Sequence, residues 1–346
     1  MQSTKWLESK VVNDLPLEGS AMPLTGLYPS PDGKYLAGQV VPIDAGPSVL
    51  NIVERSSGRT WCPLVEPASC LGSFWGWISD NQMLFYPSGE QSNDVIKGFW
   101  VVNLDTGLYR VLDLPTDPRW GESLVYNLSP NPDGQRLVYS ITYPEDNKEV
   151  SEIWMMRIND GTRQFVRKVQ GVINPRTLSW SPVGEQLIYI YQNQPGGHLP
   201  SELWLVNTDG SGERLLATDL AMPGERRSRP VWSPDGRHVA FVRLDDSTTY
   251  YNTLGSPWSN VHIVDTTTGH TIKLSRFEKR VAGFATWSPD GKFVAFVSAT
   301  IEDDQTRYGE VWVASADGSQ LYAVSGAAEP NDALAWLPSV PSMQGR

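Results

Sequence analysis

Long apolar runs are missing from this 346-residue chain, and so is any stretch with apolar residues at i, i+3, i+4 and i+7. The first absence excludes a helix that spans a bilayer. The second argues against long amphipathic helices anywhere in the fold. Positive charge is scarce: 28 Lys and Arg stand against 39 Asp and Glu, a formal net charge of −11. Nucleic acid is thereby excluded as a partner, because binding phosphates needs a concentrated basic surface. The densest basic cluster, Arg226, Arg227 and Arg229, is a patch and not a groove. Histidines number four, His198, His238, His262 and His270, none in a catalytic or ligating motif. No His-Glu-x-x-His, Gly-x-Ser-x-Gly or Gly-x-x-x-x-Gly-Lys-Ser/Thr phrase occurs, so neither a metal nor another cofactor is expected. Residues 1–10 lack an apolar core, and no signal peptide is expected in the sequence as it stands.

Cysteine is nearly absent too. Cys62 and Cys70 share one short connector, Trp61-Cys62-Pro63-Leu64-Val65-Glu66-Pro67-Ala68-Ser69-Cys70. Two outcomes fit that placement: a local disulfide, which implies an oxidising compartment, or two separate buried thiols. The pair lacks the spacing and companions of a zinc site.

What the chain has is a repeat. The phrase is clearest in Val231-Trp232-Ser233-Pro234-Asp235-Gly236 and Thr286-Trp287-Ser288-Pro289-Asp290-Gly291. Weaker copies begin at Tyr28, Trp77, Ser129 and Trp180, and a degenerate one is Trp336-Leu337-Pro338-Ser339. The period is about 50 residues, which suits propeller blades. Pro presets φ, Asp bonds nearby amides and Gly supplies positive φ, so each phrase is a tight turn. An apolar strand follows, then a longer connection. A second strand, often with Trp (Ile153-Trp154, Leu203-Trp204, Val311-Trp312), comes next and ends in an Asp/Asn-Gly turn.

The unit is a four-stranded antiparallel meander, and the expected fold is an all-β propeller of such blades in one domain, residues 1–346. Each small sheet is apolar on both faces, so radial stacking hides both. Most strand tryptophans therefore read as packing between blades. Six full repeats begin near Leu24, Ser73, Glu122, Arg176, Arg229 and Ala282 and fill residues 24–326. Residues 331–340 supply one more inner strand, and residues 1–20 resemble the outer strands of a blade. Both termini together would make a seventh blade; a six-bladed ring is the alternative.

The Trp-Ser-Pro-Asp-Gly phrase followed by an apolar strand resembles the repeat of TolB-type propellers, whose namesake is the periplasmic component of the Tol–Pal system. Similar repeats build the propellers of prolyl oligopeptidase-like enzymes. The resemblance covers about residues 24–339 and is most specific at residues 232–236 and 287–291. It implies the fold and a protein-binding habit. TolB carries a further amino-terminal α/β domain and oligopeptidases a hydrolase domain; neither is seen here, so no particular partner transfers.

Turns after the first and third strands share one face of the disc and are uniformly short. Connections after the second strand share the other face with the connectors between blades. They read as long at residues 42–48, 87–97, 143–151, 192–201, 244–260 and 299–309. Long loops on a rigid scaffold carry binding. On that face the candidate site comprises Tyr250, Tyr251 and Trp258 in the richest loop. Trp75, Glu122, Arg176, Arg229 and Asp332 join them at the channel mouth, with Trp120, Arg227 and Arg280 nearby. The expected function is non-enzymatic: a binding or scaffold propeller with a protein partner, possessing no transmembrane segment and belonging to a membrane-associated assembly. Low lysine content, the cysteine pair and the resemblance point to an extracytoplasmic location, the cytoplasm being the alternative. The alternative function is a propeller enzyme of lyase, hydrolase or lactonase type, with a small polar substrate held by Arg176, Arg229, Glu122 and Asp332.

Overall fold

The computed structural model describes residues 24–40, 48–64, 70–88, 98–112, 114, 125–174, 176–192, 201–221, 229–244, 258–302, 305–324, 334 and 336. Its strands start where turn chemistry starts them. The Ser288 hydroxyl donates to Asp290 Oδ1 (2.6 Å) and accepts from the Phe293 amide (3.0 Å). The Gly291 amide donates to the Ser288 carbonyl (2.9 Å), and Gly291 takes the φ of 69° that reverses the chain. The same bonds form around Ser30 and Asp32, and around Ser233 and Asp235. In the third repeat Asn131 takes the serine's part, its Oδ1 accepting from the Arg136 amide at 2.9 Å.

Among the described residues five antiparallel sheets result. The first holds β1 (Leu24–Pro29), β2 (Tyr35–Val40), β3 (Val49–Glu54) and β4 (Thr60–Trp61). The second holds β5 (Gly72–Ser79), β6 (Gln82–Pro87), β7 (Trp100–Asn103) and β8 (Tyr109–Val111). The third holds β9 (Val125–Pro130), β10 (Arg136–Glu145), β11 (Lys148–Arg157) and β12 (Arg163–Val169). A nine-stranded sheet contains two meanders. One is β13 (Val172–Ile173), β14 (Ser179–Trp180), β15 (Gln186–Gln192), β16 (Ser201–Asn207) and β17 (Arg214–Leu220). The other is β18 (Val231–Trp232), β19 (His238–Leu244), β20 (Ser259–Asp265) and β21 (Thr271–Lys273). They are joined where Leu220 stands opposite Arg243 and the Ala221 amide donates to the Val242 carbonyl at 3.0 Å. The last sheet holds β22 (Arg280–Trp287), β23 (Phe293–Glu302), β24 (Gln305–Ser315) and β25 (Leu321–Ala323). These meanders are the blades of an all-β propeller.

The core lies between blades, as two-faced sheets require. Tyr35, Leu50 and Ile52 of the first pack on Met83, Phe85 and Trp100 of the second. Leu84 and Val101 meet Leu137, Tyr139 and Ile141 of the third on the opposite side of the second blade. The same alternation continues from Val138 and Ile153 to Leu187 and Tyr189, and from Ile188 to Val239 and Phe241. Ala240 and Val242 then meet Val294 and Phe296. Tryptophans also tie inner strands together by hydrogen bonds. Trp77 donates to the Tyr28 carbonyl (2.9 Å), Trp232 to Ser179 (3.4 Å), Trp287 to Val231 (3.0 Å) and Trp336 to Thr286 (3.0 Å).

Two connections expected to be long loops are paired instead. In residues 143–151, β10 and β11 continue to Glu145 opposite Lys148 and reverse through Asp146 and Asn147. Both turn residues have positive φ (49° and 61°), as the primed two-residue hairpin turns require. In residues 299–309, pairing reaches Glu302 opposite Gln305. Both stretches are strand hairpins that extend past their blades.

Two buried tyrosines test the packing. Tyr139 ends in a hydroxyl with no partner among the described residues, and burial pushes its pKa up to about 12. Tyr189 donates to Glu213 Oε1 (2.8 Å), and Glu213 pairs with Arg167. Tyr139→Phe is expected to be neutral or stabilising by up to about 1 kcal/mol, and Tyr189→Phe to cost about 1–2 kcal/mol. Tyr139 also sets an alkaline limit. Below its ordinary value of 10.0 it is neutral in both states; above it only the unfolded chain ionises. Stability attributable to this group is therefore lost between about pH 10 and about pH 12, and Tyr139→Phe flattens that decline. Denaturant midpoints at about pH 8 and about pH 11 check both statements.

Candidate functional site

The two faces of the disc differ in what their side chains are committed to. On the short-turn face the Asp carboxylates close their own turns. The Ser288 hydroxyl holds Asp290 below the usual carboxylate range, and the Ser315 hydroxyl, with the Ser319 amide and hydroxyl, holds Asp317 at about 2. A cavity of about 350 Å³ on this face is lined by Asp32, Lys34, Tyr35, Ser79, Asp80, Asn81 and Asp105. Within it Asn81 bonds Asp105 and Lys34 lies over Tyr35.

The other face brings two of the expected residues into contact. Trp75 sits at a register shift in β5, between Phe74 and Gly76. Its Nε1 donates to the Leu128 carbonyl of the next blade at 3.2 Å. Phe99 meets its ring edge-on (4.8 Å, 79°), and Tyr86, 41% exposed, packs on Phe99 at 5.0 Å. The Arg176 guanidinium lies over the Trp75 ring, 4.5 Å from its centroid. Trp75 belongs to the second blade and Arg176 to the fourth. The contact therefore reaches past the third blade.

The remaining expected residues stand apart. Arg229 is half-buried just ahead of β18. Trp258, 44% exposed, immediately precedes β20. Arg280 binds Glu310 of its own sheet (2.8 Å) and lies over Phe277 (5.3 Å). Glu122, Tyr250, Tyr251 and Asp332 lie outside the described residues, as do Trp120, Arg227, His198 and the strands expected in residues 1–20. Of residues 331–340, only 334 and 336 are described. Cys62 and Cys70 are joined in a disulfide, Cα to Cα 5.8 Å.

Sequence reading missed Tyr86, Phe99 and Glu152. Glu152 is buried and accepts from the Tyr143 hydroxyl (2.7 Å) and from Trp154 Nε1 (2.9 Å), which fastens the projecting β10–β11 hairpin beside the Trp75 cluster. A Glu-x-Trp spacing was available as a signal: Trp204 repeats the bond to Glu202 at 2.8 Å. Aromatic rings and a stacked guanidinium suit contact with a partner chain or an anionic group. Among the described residues no group of three or more His, Cys, Asp or Glu side chains is placed to hold a metal.

Blade architecture, turn chemistry and inner-rim tryptophans together define a β-propeller with TolB-like repeats. No family model matches the sequence. Among curated relatives, the Tol-Pal system protein TolB of Alcanivorax borkumensis is 31% identical over 110 residues, 32% of this chain and 22% of that protein. Prolyl endopeptidase FAP of Mus musculus is 25% identical over 244 residues, 58% of this chain and 29% of that protein. The chain thus spans less than a third of the length of either relative. A solved structure of an oligogalacturonate lyase in complex with manganese has a TM-score of 0.61 over 88% of this chain and 77% of that one, at 15% identity, a likeness of fold. The chain is distantly homologous to TolB and to the propeller domains of prolyl oligopeptidase-type peptidases.

Proposed function

We propose that this propeller is a non-catalytic scaffold that binds a protein partner through its long-loop face, outside the cytoplasm and within a membrane-associated assembly. One observation carries the reading. Large exposed aromatic side chains, Tyr86 and Trp258, sit where the connections are long, while the opposite face spends its polar groups on its own turns. Other exposed apolar residues fall singly, Val111, Phe165, Leu215 and Tyr322 on the outermost strands of four blades and Leu108 and Val183 at short turns, which is ordinary surface composition. The disulfide supports an oxidising compartment, and the name of the TolB relative supports a multi-protein system.

The ring is read as seven blades, the last made of an inner strand from residues 331–340 and outer strands from residues 1–20. The Trp336 bond to Thr286 supports it by continuing the inter-blade series. The binding reading is tested by affinity purification from the native source with quantitative mass spectrometry. The wild type, Tyr86→Ala combined with Trp258→Ala, and the opposite-face control Lys292→Ala are compared. Partner recovery is expected to fall at least about tenfold in the double variant alone, the effect of losing interface anchors. Equal recovery by three well-folded proteins removes the reading.

A further inference from the structure

Glu-x-Trp occurs on the third strand of three blades, and in one of them the pair is not made. Trp154 Nε1 donates to Glu152 at 2.9 Å and Trp204 Nε1 to Glu202 at 2.8 Å. In the sixth blade the same spacing is Glu310-Val311-Trp312. There Glu310 Oε2 accepts from the Arg280 guanidinium at 2.8 Å instead, and the buried Trp312 Nε1 has no partner among the described residues.

The ladder places every group involved on one side of the sheet. Ser298 stands opposite Glu310, and Phe296 opposite Trp312, across β23 and β24. Ala282 stands opposite Ser298 on the other side, two residues from Arg280. Cross-strand partners and residues two apart share a face, so Arg280, Ser298, Glu310 and Trp312 all project the same way. Ser298 is 0% exposed, and its hydroxyl also lacks a partner among the described residues, as does Arg280 Nε. Buried donors without an acceptor are costly, and three of them surround one carboxylate. In the third blade the carboxylate on the indole accepts from a hydroxyl as well, that of Tyr143 at 2.7 Å. In the sixth, Ser298 supplies a hydroxyl directly opposite Glu310.

We propose that Glu310 is a two-position carboxylate. In one position it ties the inner strand β22 to β24 through Arg280. In the other it accepts from Trp312, with Ser298 beside it, and releases Arg280. Each position leaves donors unpaired that the other satisfies, so neither dominates by much, which is the condition for a two-state element. The Arg280 and Glu310 side chains are 18% and 34% exposed, so dissolved ions reach the pair and bias it. Phe277 lies under Arg280 (5.3 Å) and against Trp312 (4.8 Å) and Phe296 (6.3 Å). Asn260 holds its amide (2.9 Å) and carbonyl (3.1 Å). The connector from the fifth blade to the sixth therefore rests on the residues between which Glu310 moves, and the long-loop face responds there to its ionic surroundings.

Indole N–H resonances in nitrogen-15-labelled protein test this. Those of Trp154, Trp204 and Trp312 are identified by their loss in the corresponding Trp→Phe variants. Salt is raised from about 10 mM to about 1 M, which shortens the screening length from about 30 Å to about 3 Å. The Trp312 resonance is expected to move downfield and level off, in the direction that hydrogen bonding moves an indole N–H, while the other two stay in place. In Arg280→Met, which keeps the stem and removes the guanidinium, Trp312 is expected to start where the wild-type titration ends and not to respond further. In Glu310→Ala it is expected to stay at the unbonded position at every salt concentration. A Trp312 resonance that salt leaves in place, or that moves only together with the other two, overturns the proposal. So does movement that persists in Glu310→Ala, or an unchanged position in a folded Arg280→Met. The wild-type titration decides where a variant fails to fold. No partner enters these readouts, so the switch and the partner-binding reading stand or fall separately.

Discussion

Trp287→Ala is expected to destabilise the propeller by about 3–5 kcal/mol, a fall of about 4–7 °C in thermal midpoint for a chain of this length. The indole is 7% exposed within the cluster between the β18–β21 and β22–β25 blades. Its Nε1 donates to the Val231 carbonyl at 3.0 Å. Alanine therefore opens a cavity between two blades and strips a partner from an inner-rim carbonyl. Trp287→Phe separates the two effects, because most of the ring volume stays and only the hydrogen bond is lost, at about 1 kcal/mol. Trp336 makes the same bond to Thr286. If its strand is the inner strand of a closing blade, Trp336→Ala costs the same order as Trp287→Ala. A change under about 0.5 kcal/mol, the size of an ordinary surface substitution, would separate that strand from the ring and remove the seventh blade. Thermal or denaturant midpoints of the three variants decide it.

The parts of this fold that could be read in advance are those whose physics is local. Ser288, Asp290 and Gly291 close their turn with bonds spanning at most five residues, so the phrase itself is the structure. Trp-bearing strands between such turns left little choice but stacked two-faced sheets. Residues 143–151 misled because the sequence Pro144-Glu145-Asp146-Asn147-Lys148-Glu149 has the polarity of a loop. Its reversal uses Asp-Asn with positive φ where glycine is the usual sign, and its charged residues are solvent-facing strand positions. Trp75 and Arg176 were each legible as inner-rim residues. Their contact was not, because it depends on a register shift at one and a broken strand at the other. Tyr86 and Phe99 carry no loop-like signal, since Tyr86 lies within β6 and Phe99 immediately precedes β7.

Replacing Cys62 by serine and Cys70 by alanine together is expected to cost about 2.5 kcal/mol, the chain-entropy value for a loop this short, or about 3–4 °C in thermal midpoint. The bridge spans a sequence separation of 8. Cys62 follows the outermost strand of the first blade and is exposed, whereas Cys70 is 5% exposed within the cluster between the first and second blades. The Cys70 carbonyl accepts from the Leu50 amide (2.9 Å) and the Gly72 amide donates to the Ser48 carbonyl (2.7 Å), so the connector is also laid against β3. These backbone bonds persist without the bridge, which is why the loss should remain near the entropic value and not reach that of an opened core. Adding reductant to the wild type should reproduce the drop, and the double variant should not respond to it. The same pair tests location. Protein from its native source, alkylated before reduction, should carry label on neither thiol, because disulfides persist in oxidising compartments. Two labelled cysteines would place the chain in a reducing one and withdraw the extracytoplasmic assignment, while the fold and the stability prediction for the oxidised form would stand.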